Sequence, residues 1–475
     1  MEDKVEISLS DAIDEFEGST KDFQESEDYY NANPRDLAVG IATPPQLRVL
    51  LAQVGVPRIY VHAIAERLVI EGFRIGDSGD TDEELWGWFK ANGLDNLAWL
   101  AFCEALVYGR AYITIAAPDE LDKQDPLAVP DVPIIRVESA KSLYAKIDPR
   151  TRRVEWAVRV VKDDEGETIA ATLYTPDRTE IYGASDGELV LEQTISHGLG
   201  VVPVVPMIHA NSVSGLYGAS IITEELKSVT DAMSRLMMNL QMTSELMAAP
   251  QRIIFGSSVD ELGGPDKNGL ELYTSSYIAV EDPAGKAIQL PAAELRNYTE
   301  ALTHQLKLAA AYTGLPPQYL SFTDDNPASA EAIKASENRL VRTCEAIASQ
   351  FGSAWEQVMR IALLVMGNQL TVDHFRMETV WRDPSTPTFQ AKADATTKMY
   401  ANGQGVIPLE QARIDMGYSP EQRRQMREWD EETPQGRLYG LYGNPSGVID
   451  EPRGAGAGDG ETDEPDDRLQ RGVFE

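Results

Sequence analysis

The side chains best supplied for chemistry are carboxylates, with 76 Asp and Glu against 42 Lys and Arg and a net charge of −34. Asp163, Asp164, Glu165 and Glu167 fall within five residues, and such a cluster can hold a divalent cation if the chain folds around it. The flanking strand patterns make this cluster a solvated turn instead. "TDDN" at 323–326 opens like a calcium loop, but the glycine and the distal glutamate that such a loop needs are misplaced. His62, His197, His209, His304 and His374 show neither H-x-x-x-H nor H-E-x-x-H spacing, so they offer no zinc site. There is no G-x-x-x-x-G-K-[ST] segment, and "GAGAGDG" at 454–460 has neither a strand before it nor a helix after it. Tyr108 and Arg110 in "EALVYGRAY" are explained by a helix C-cap running into a strand. No nucleophile set, metal site or cofactor motif emerges. The enzymatic reading left open is an acid-based, metal-dependent hydrolase drawing on Asp163 or Asp324.

Charge narrows the partners. Gripping a nucleic-acid backbone requires a basic patch, and this chain repels phosphate in bulk. That does not exclude a protein that surrounds DNA without gripping it. Cys103 and Cys344 are too few for a disulfide framework and lie in apolar helical patterns, as buried free thiols do. The acidic N-terminus has no signal core, and no apolar run reaches ~18 residues. The expectation is synthesis in a reducing compartment with no membrane partner.

The elements that would position these residues can be placed by period. Residues 1–39 form an acidic arm, with 12 Asp/Glu against 3 Lys/Arg up to residue 36, and residues 431–475 form an acidic Gly/Pro-rich tail. Both read as partly disordered by composition. Residues 44–72 read as helix, split at Pro57 and stopped at Gly72. "TDEELWGWFKANGLDNLAWLAFCEALVYG" gives two helices, with Thr81 or Asp82 as N-cap and Gly109 as C-cap, and "RAYITIAA" follows as a strand.

Between 131 and 206 the period drops to two. In "VEWAVRV", Val154, Trp156, Val158 and Val160 share one face, opposite Glu155 and Arg159. A helical stripe returns at Ile222, Leu226, Val229, Met233, Leu236, Leu240, Ser244 and Met247. A second helix, entered at Pro291, turns Leu295, Tyr298, Leu302, Leu306 and Ala309 inward and ends at Gly314. These two helices should pack antiparallel, with the short-helix-and-strand module between them at their far end. A proline-and-acid break follows. Asn326 then caps a long helix with Pro327 at its first position, and its stripe runs through Ile333, Leu340, Cys344, Ile347, Phe351, Trp355, Val358, Ala362 and Met366. "FRMETVWRDPSTPT" gives a strand and a turn, and helices at 388–401, 408–416 and 420–430 close the pattern.

This order of elements resembles the portal proteins of tailed double-stranded DNA bacteriophages, in particular the long-tailed phage family. The stretches that agree are "AERLVIEGFRI", "EALVYGRAYITI", "KIDPRTRRVEWAVRV", "GLGVVPVVPMIHANSVSGLYGASII", "YLSFTDDNPASAEAIKASENRL" and "VWRDPSTPTFQAKADATTKMYANGQ". They cover about 60 to 430, and their joint order is more specific than any one of them. The resemblance implies an α+β, mainly helical portal fold. Residues 40–215 would be the wing, 216–248 and 291–314 the two-helix stem, and 249–290 a small α/β clip. The tunnel loop would be 315–326, the long spine helix and a wing strand 327–385, and the helical crown 386–430.

It further implies a ring of about twelve copies, a heterologous closed assembly, at one capsid vertex of the virion. The ring would be assembled in the host cytoplasm and conduct double-stranded DNA during packaging and ejection. Its partners would be the large terminase subunit, the head–tail adaptor, and the major capsid and scaffolding proteins. The tunnel loop would present Pro316, Pro317, Gln318, Tyr319, Ser321, Asp324, Asp325 and Asn326. Arg235 and Lys307 would offer weak stem contacts to DNA, and Arg252, Asp260, Glu261, Lys267 and Lys286 would dock clip partners. Asp324 and Asp325 also sit where negative charge supports a helix N-terminus, so their role stays open between DNA and cap. A helical scaffold or adaptor that touches no DNA is the remaining alternative.

Overall fold

Two aromatic-rich helices and one very long helix build the main hydrophobic core. The computed structural model describes residues 7–34, 52–76, 81–118, 131–185, 187–247, 252–255, 277–280, 288–289, 295–320, 330–385, 389–418 and 420–432. Helix α4 (Glu83–Ala91) starts where Asp82 accepts the Leu85 amide at 2.9 Å. That bond satisfies one of the unpaired donors of a helix start, so Asp82 is the cap. Helix α5 (Leu94–Tyr108) ends on left-handed Gly109, as its spacing predicts. Both pack against the spine helix Ala330–Val365, 36 residues and about 54 Å long. Its stripe is buried as expected: Leu340, Cys344, Ile347, Phe351, Trp355, Val358 and Ala362 all lie in the main core. Trp355 meets Phe89 edge-on at 5.3 Å, and Phe351 stacks on Phe102 at 5.6 Å, both favourable aromatic geometries.

Among the described residues of the 44–72 stretch, the helix expected there covers only Val56–Ala65. Residues 35–51 lie outside the described ones, and Pro57 sits in the first turn of α3 (Val56–Ala65) instead of splitting a helix. Past Arg67 the chain becomes strand β1 (Ile70–Arg74), paired antiparallel with β13 (Glu378–Trp381). The ladder shifts register at Glu71, between paired Ile70 and Gly72, and a Cβ on Gly72 would lie 2.5 Å from the Thr81 methyl. The run "RLVIE" carries no periodicity that separates helix from strand, and the pairing partner is far away in sequence.

Strand β2 (Arg110–Ala116) lies between β3 (Ile134–Glu138) and β9 (Val204–Ile208). Strands β4 (Leu143–Ile147), β5 (Val154–Lys162), β6 (Thr168–Tyr174), β7 (Arg178–Ser185) and β8 (Glu188–Ser196) form an antiparallel meander. Trp156, Val158 and Val160 share one buried face of it, as expected. Val154 does not join them. A register shift beside Ile147 inserts a residue into β5, and Val154 packs on the opposite side with Leu143 and Ala157.

The acidic arm holds two helices, α1 (Leu9–Thr20) and α2 (Phe23–Asn31). Ala12 and Phe16 pack on the meander with Trp156 and Val158, and Tyr29 joins the main core. A few well-spaced apolar residues anchor a segment whose composition suggested partial disorder. Cys103 and Cys344 are buried free thiols, pushed up to about 12 and about 11 by burial. Residues 1–420 make up one unit. In the second, 421–475, the structure describes residues 421–432, which lie within the helix Pro420–Glu432.

Candidate functional site

The strand-rich part hands the chain to the helices that follow it through a glycine joint. Gly109, at φ +82°, ends α5, and its carbonyl accepts the His209 amide at 2.9 Å. Gly218, at φ +71°, faces it so closely that a Cβ there would lie 2.3 Å from the Gly109 oxygen. Only glycine adopts both backbones without strain and leaves this gap free. The Ile221 amide then bonds the Leu106 carbonyl at 2.8 Å, and α6 (Glu224–Met247) begins.

Helix α7 (Arg296–Thr313) returns beside α6. Thr243, near the end of α6, donates to the hydroxyl of Tyr298, near the start of α7, at 3.3 Å, so the pair is antiparallel as the spacing predicts. Burial along the hairpin is uneven. Leu226, Val229, Met233, Ala309 and Ala310 belong to the main core. Farther out, Leu236, Met237, Leu240, Leu302 and Leu306 stay half-buried. Arg235 is half-buried on α6, and Lys307 is exposed on α7. Strands β10 (Arg252–Phe255), β11 (Tyr277–Val280) and β12 (Ile288–Gln289) form a mixed sheet between the two helices in sequence, with Arg252 at its first position. Asp260, Glu261, Lys267, Lys286 and the short helix expected in this module lie outside the described residues.

The arm clasps this junction. Lys227, with only 9% of its side chain exposed, bridges Glu25 and Glu224 at 2.8 Å each. Burial alone would lower its pKa; the two carboxylates outweigh burial and leave it raised. The Tyr29 hydroxyl donates to Asp231 at 2.8 Å. Toward the strands, Glu15 pairs with Lys146 at 2.7 Å, Glu17 with Lys162 at 2.9 Å and Glu27 with Lys141 at 2.8 Å.

Helix α7 stops at left-handed Gly314, whose amide bonds the Ala310 carbonyl at 2.9 Å. Arg339 of the spine helix donates to the Ala311 carbonyl at 2.8 Å, supplying both a partner and positive charge at a helix C-terminus. The proline break then packs down. Leu315, Pro316 and Leu320 are buried, Pro317–Tyr319 make a 3₁₀ turn, and Gln318 donates to Ser336 at 3.1 Å. The Tyr319 hydroxyl accepts from Arg67 at 2.7 Å and donates to Glu337 at 2.9 Å. Burial first, and the bond to Glu337 second, raise its pKa. Arg67 and Glu337 form an ion pair at 3.3 Å with 10% and 11% of their side chains exposed. Thus Gln318 and Tyr319 meet the spine helix, Pro316 is buried and Pro317 exposed before them, while Ser321, Asp324, Asp325 and Asn326 lie outside the described residues. Sequence reasoning missed Arg67, Glu337, Arg339 and Lys227; each looks like an ordinary helix or loop charge until its distant partner is known.

Among the described residues no group of three or more His, Cys, Asp or Glu is placed to hold a metal ion, and no helix is long and apolar enough to cross a membrane. Among the described residues the organised features are a joint, a hairpin and a pinned turn.

The comparisons with known proteins agree with that structural character. Residues 10–435 match the family described as phage portal protein, SPP1 Gp6-like. The portal protein of Mycobacterium phage L5 is 52% identical over 431 residues, covering 90% of this chain and 88% of that one. The portal protein of Mycobacterium phage D29 is 51% identical with the same coverage. A solved structure of the neck of a native GTA particle, computed with C12 symmetry, aligns over 82% of this chain and 96% of that chain at 12% identity, with a TM-score of 0.36. The family and relative matches define a structural protein of the phage head. The chain belongs to the SPP1 Gp6-like phage portal family. Its role is that of the portal at a capsid vertex, and it is a component of the virion.

Proposed function

We propose that this chain is the repeating subunit of a closed ring of about twelve copies around a DNA channel. The observation that carries the reading is the outer stem. Leu236, Met237, Leu240, Leu302 and Leu306 follow helical spacing yet stay half-buried in a single subunit. Burying the rest of such a stripe against a neighbour stabilises by about 25 cal/mol per Å², and a ring supplies a neighbour on each side. The net charge of −34 supports the same reading. A channel wall that repels phosphate lets DNA slide, whereas a ladder of basic contacts would hold it. Arg235 and Lys307 would add weak contacts only.

In this arrangement residues 249–290 form the clip that meets the large terminase subunit and the head–tail adaptor. The 315–326 segment forms the tunnel loop, and 386–430 the crown. The wing meets the major capsid and scaffolding proteins, and assembly takes place in the host cytoplasm. The ring conducts DNA and has no ATPase or nuclease activity of its own. Negative-stain imaging of the purified full chain should give annular particles; monomers at every salt concentration would count against the ring. Packaging assays with a shortened 315–326 segment test the loop: normal packaging and retention would leave the chain a scaffold that does not touch DNA.

A further inference from the structure

Arg67 is a buried cation reached by three parts of the chain that are remote in sequence. It lies just past the end of α3 and just before β1. One guanidinium nitrogen donates to the Pro384 carbonyl at 2.7 Å. The other donates to the Tyr319 hydroxyl at 2.7 Å and to Glu337 at 3.3 Å. Tyr319 stands before the 321–329 segment and Glu337 after it, and the Tyr319 hydroxyl closes the triangle on Glu337 at 2.9 Å. Pro384 lies past β13, on the way from the wing to the helices Phe389–Tyr400 and Leu409–Met416. Here the chain is tied a second time, by the Arg382 amide on the Val69 carbonyl at 2.8 Å and the Arg382 guanidinium on Glu71 at 2.8 Å.

A planar guanidinium has five donors in a fixed fork, so it can bond three acceptors in set directions at once; an ammonium on a flexible stem cannot hold the same three. A cation this buried persists only when paired and hydrogen-bonded. We propose that Arg67 is a positioning residue that fixes both flanks of the 321–329 segment and joins them to the chain entering the crown. This rests on the channel reading for its consequence: the loop base and the approach to the crown hold one position together and lose it together.

The test is amide hydrogen exchange on the full-length protein, comparing Arg67→Gln, Arg67→Lys and Tyr319→Phe. Arg67→Gln should speed exchange tenfold or more at both 317–320 and 382–385, two segments about sixty residues apart. Arg67→Lys should recover only part of the protection at each. Tyr319→Phe keeps the ion pair and the bond to Pro384, so it guards against a variant that fails to fold; it should speed exchange at 317–320 alone. Exchange within twofold of the parent at either segment in Arg67→Gln, or full recovery in Arg67→Lys, would overturn the proposal. So would a Tyr319→Phe protein that matches Arg67→Gln at both segments. DNA retained per capsid, measured on the same variants, separates the two readings. Altered exchange with altered retention supports both, whereas altered exchange with normal retention upholds the role of Arg67 and refutes the channel role of the loop.

Discussion

The arm is joined to the body by charge and by apolar anchors, and magnitudes say which dominates. Glu15–Lys146, Glu17–Lys162 and Glu27–Lys141 are mostly exposed pairs, with at least one partner of each about a third or more exposed. Pairs of this kind stabilise by about 0–1 kcal/mol each, or about 1.5 kcal/mol together, close to a tenfold effect. The anchors are larger. Phe16 is 3% exposed and Phe23 7%, and Arg110 lies 4.9 Å over the Phe23 ring while donating to the Ser19 carbonyl at 3.2 Å. Truncating a buried phenylalanine costs about 3–5 kcal/mol. Hydrogen exchange at amides 9–31 of the full chain reads arm release directly. The Glu15, Glu17 and Glu27→Gln triple variant should lose about tenfold in protection, and 0.5 M salt should act similarly. Phe16→Ala with Phe23→Ala should lose a thousandfold or more. If the triple variant released the arm as fully as the double alanine, the ion pairs would hold the arm as firmly as its aromatic anchors do, and this ranking would fail.

Two further outcomes follow from the joint and the buried acids. Gly218→Ala places a Cβ at 2.3 Å from the Gly109 oxygen at φ +71°, so strain and overlap together should cost about 2–5 kcal/mol in denaturant unfolding. Gly166→Ala, at φ +88° with nothing within 4 Å, carries only the backbone strain of about 1–2 kcal/mol. Burial raises Cys103 and Tyr60 to about 12 and Cys344 to about 11. The folded state then holds these protons when the unfolded chain has released them. Stability from these groups is therefore intact below about pH 9 and falls as pH rises from there toward 12. Chemical denaturation at pH 8 and pH 10.5 checks the sign, and equal midpoints would contradict it.

Local signals carried much of the fold. Asp82 and Gly109 cap their helices because capping needs only neighbouring residues, and the spine stripe from Leu340 to Ala362 is buried because a 3/4 spacing fixes one face. Long-range pairing was illegible. Nothing in "RLVIE" announces that Ile70 will meet Trp381, and no spacing rule brings Arg67 to Tyr319 and Glu337. The arm misled through composition, since Ala12, Phe16, Phe23 and Tyr29 anchor it while acids dominate the count. A bulge opposite Ile147 turned Val154 to the other face, because strict alternation holds only while the ladder is unbroken.

The pairing of β1 with β13 also sets a clock. Glu71 and Arg382, bonded across it, lie 311 residues apart, with the meander, helices α6 and α7 and the long helix Ala330–Val365 between them. At about 5–20 residues per second of synthesis, roughly 15–60 seconds separate the first strand from its mate on the ribosome. Until then β1 offers an unpaired edge, and the main core lacks Trp355 and Phe351. A nascent chain therefore has no finished core around β1 until β13 and the spine helix have been made, so the early strand is completed by residues synthesised some three hundred positions later.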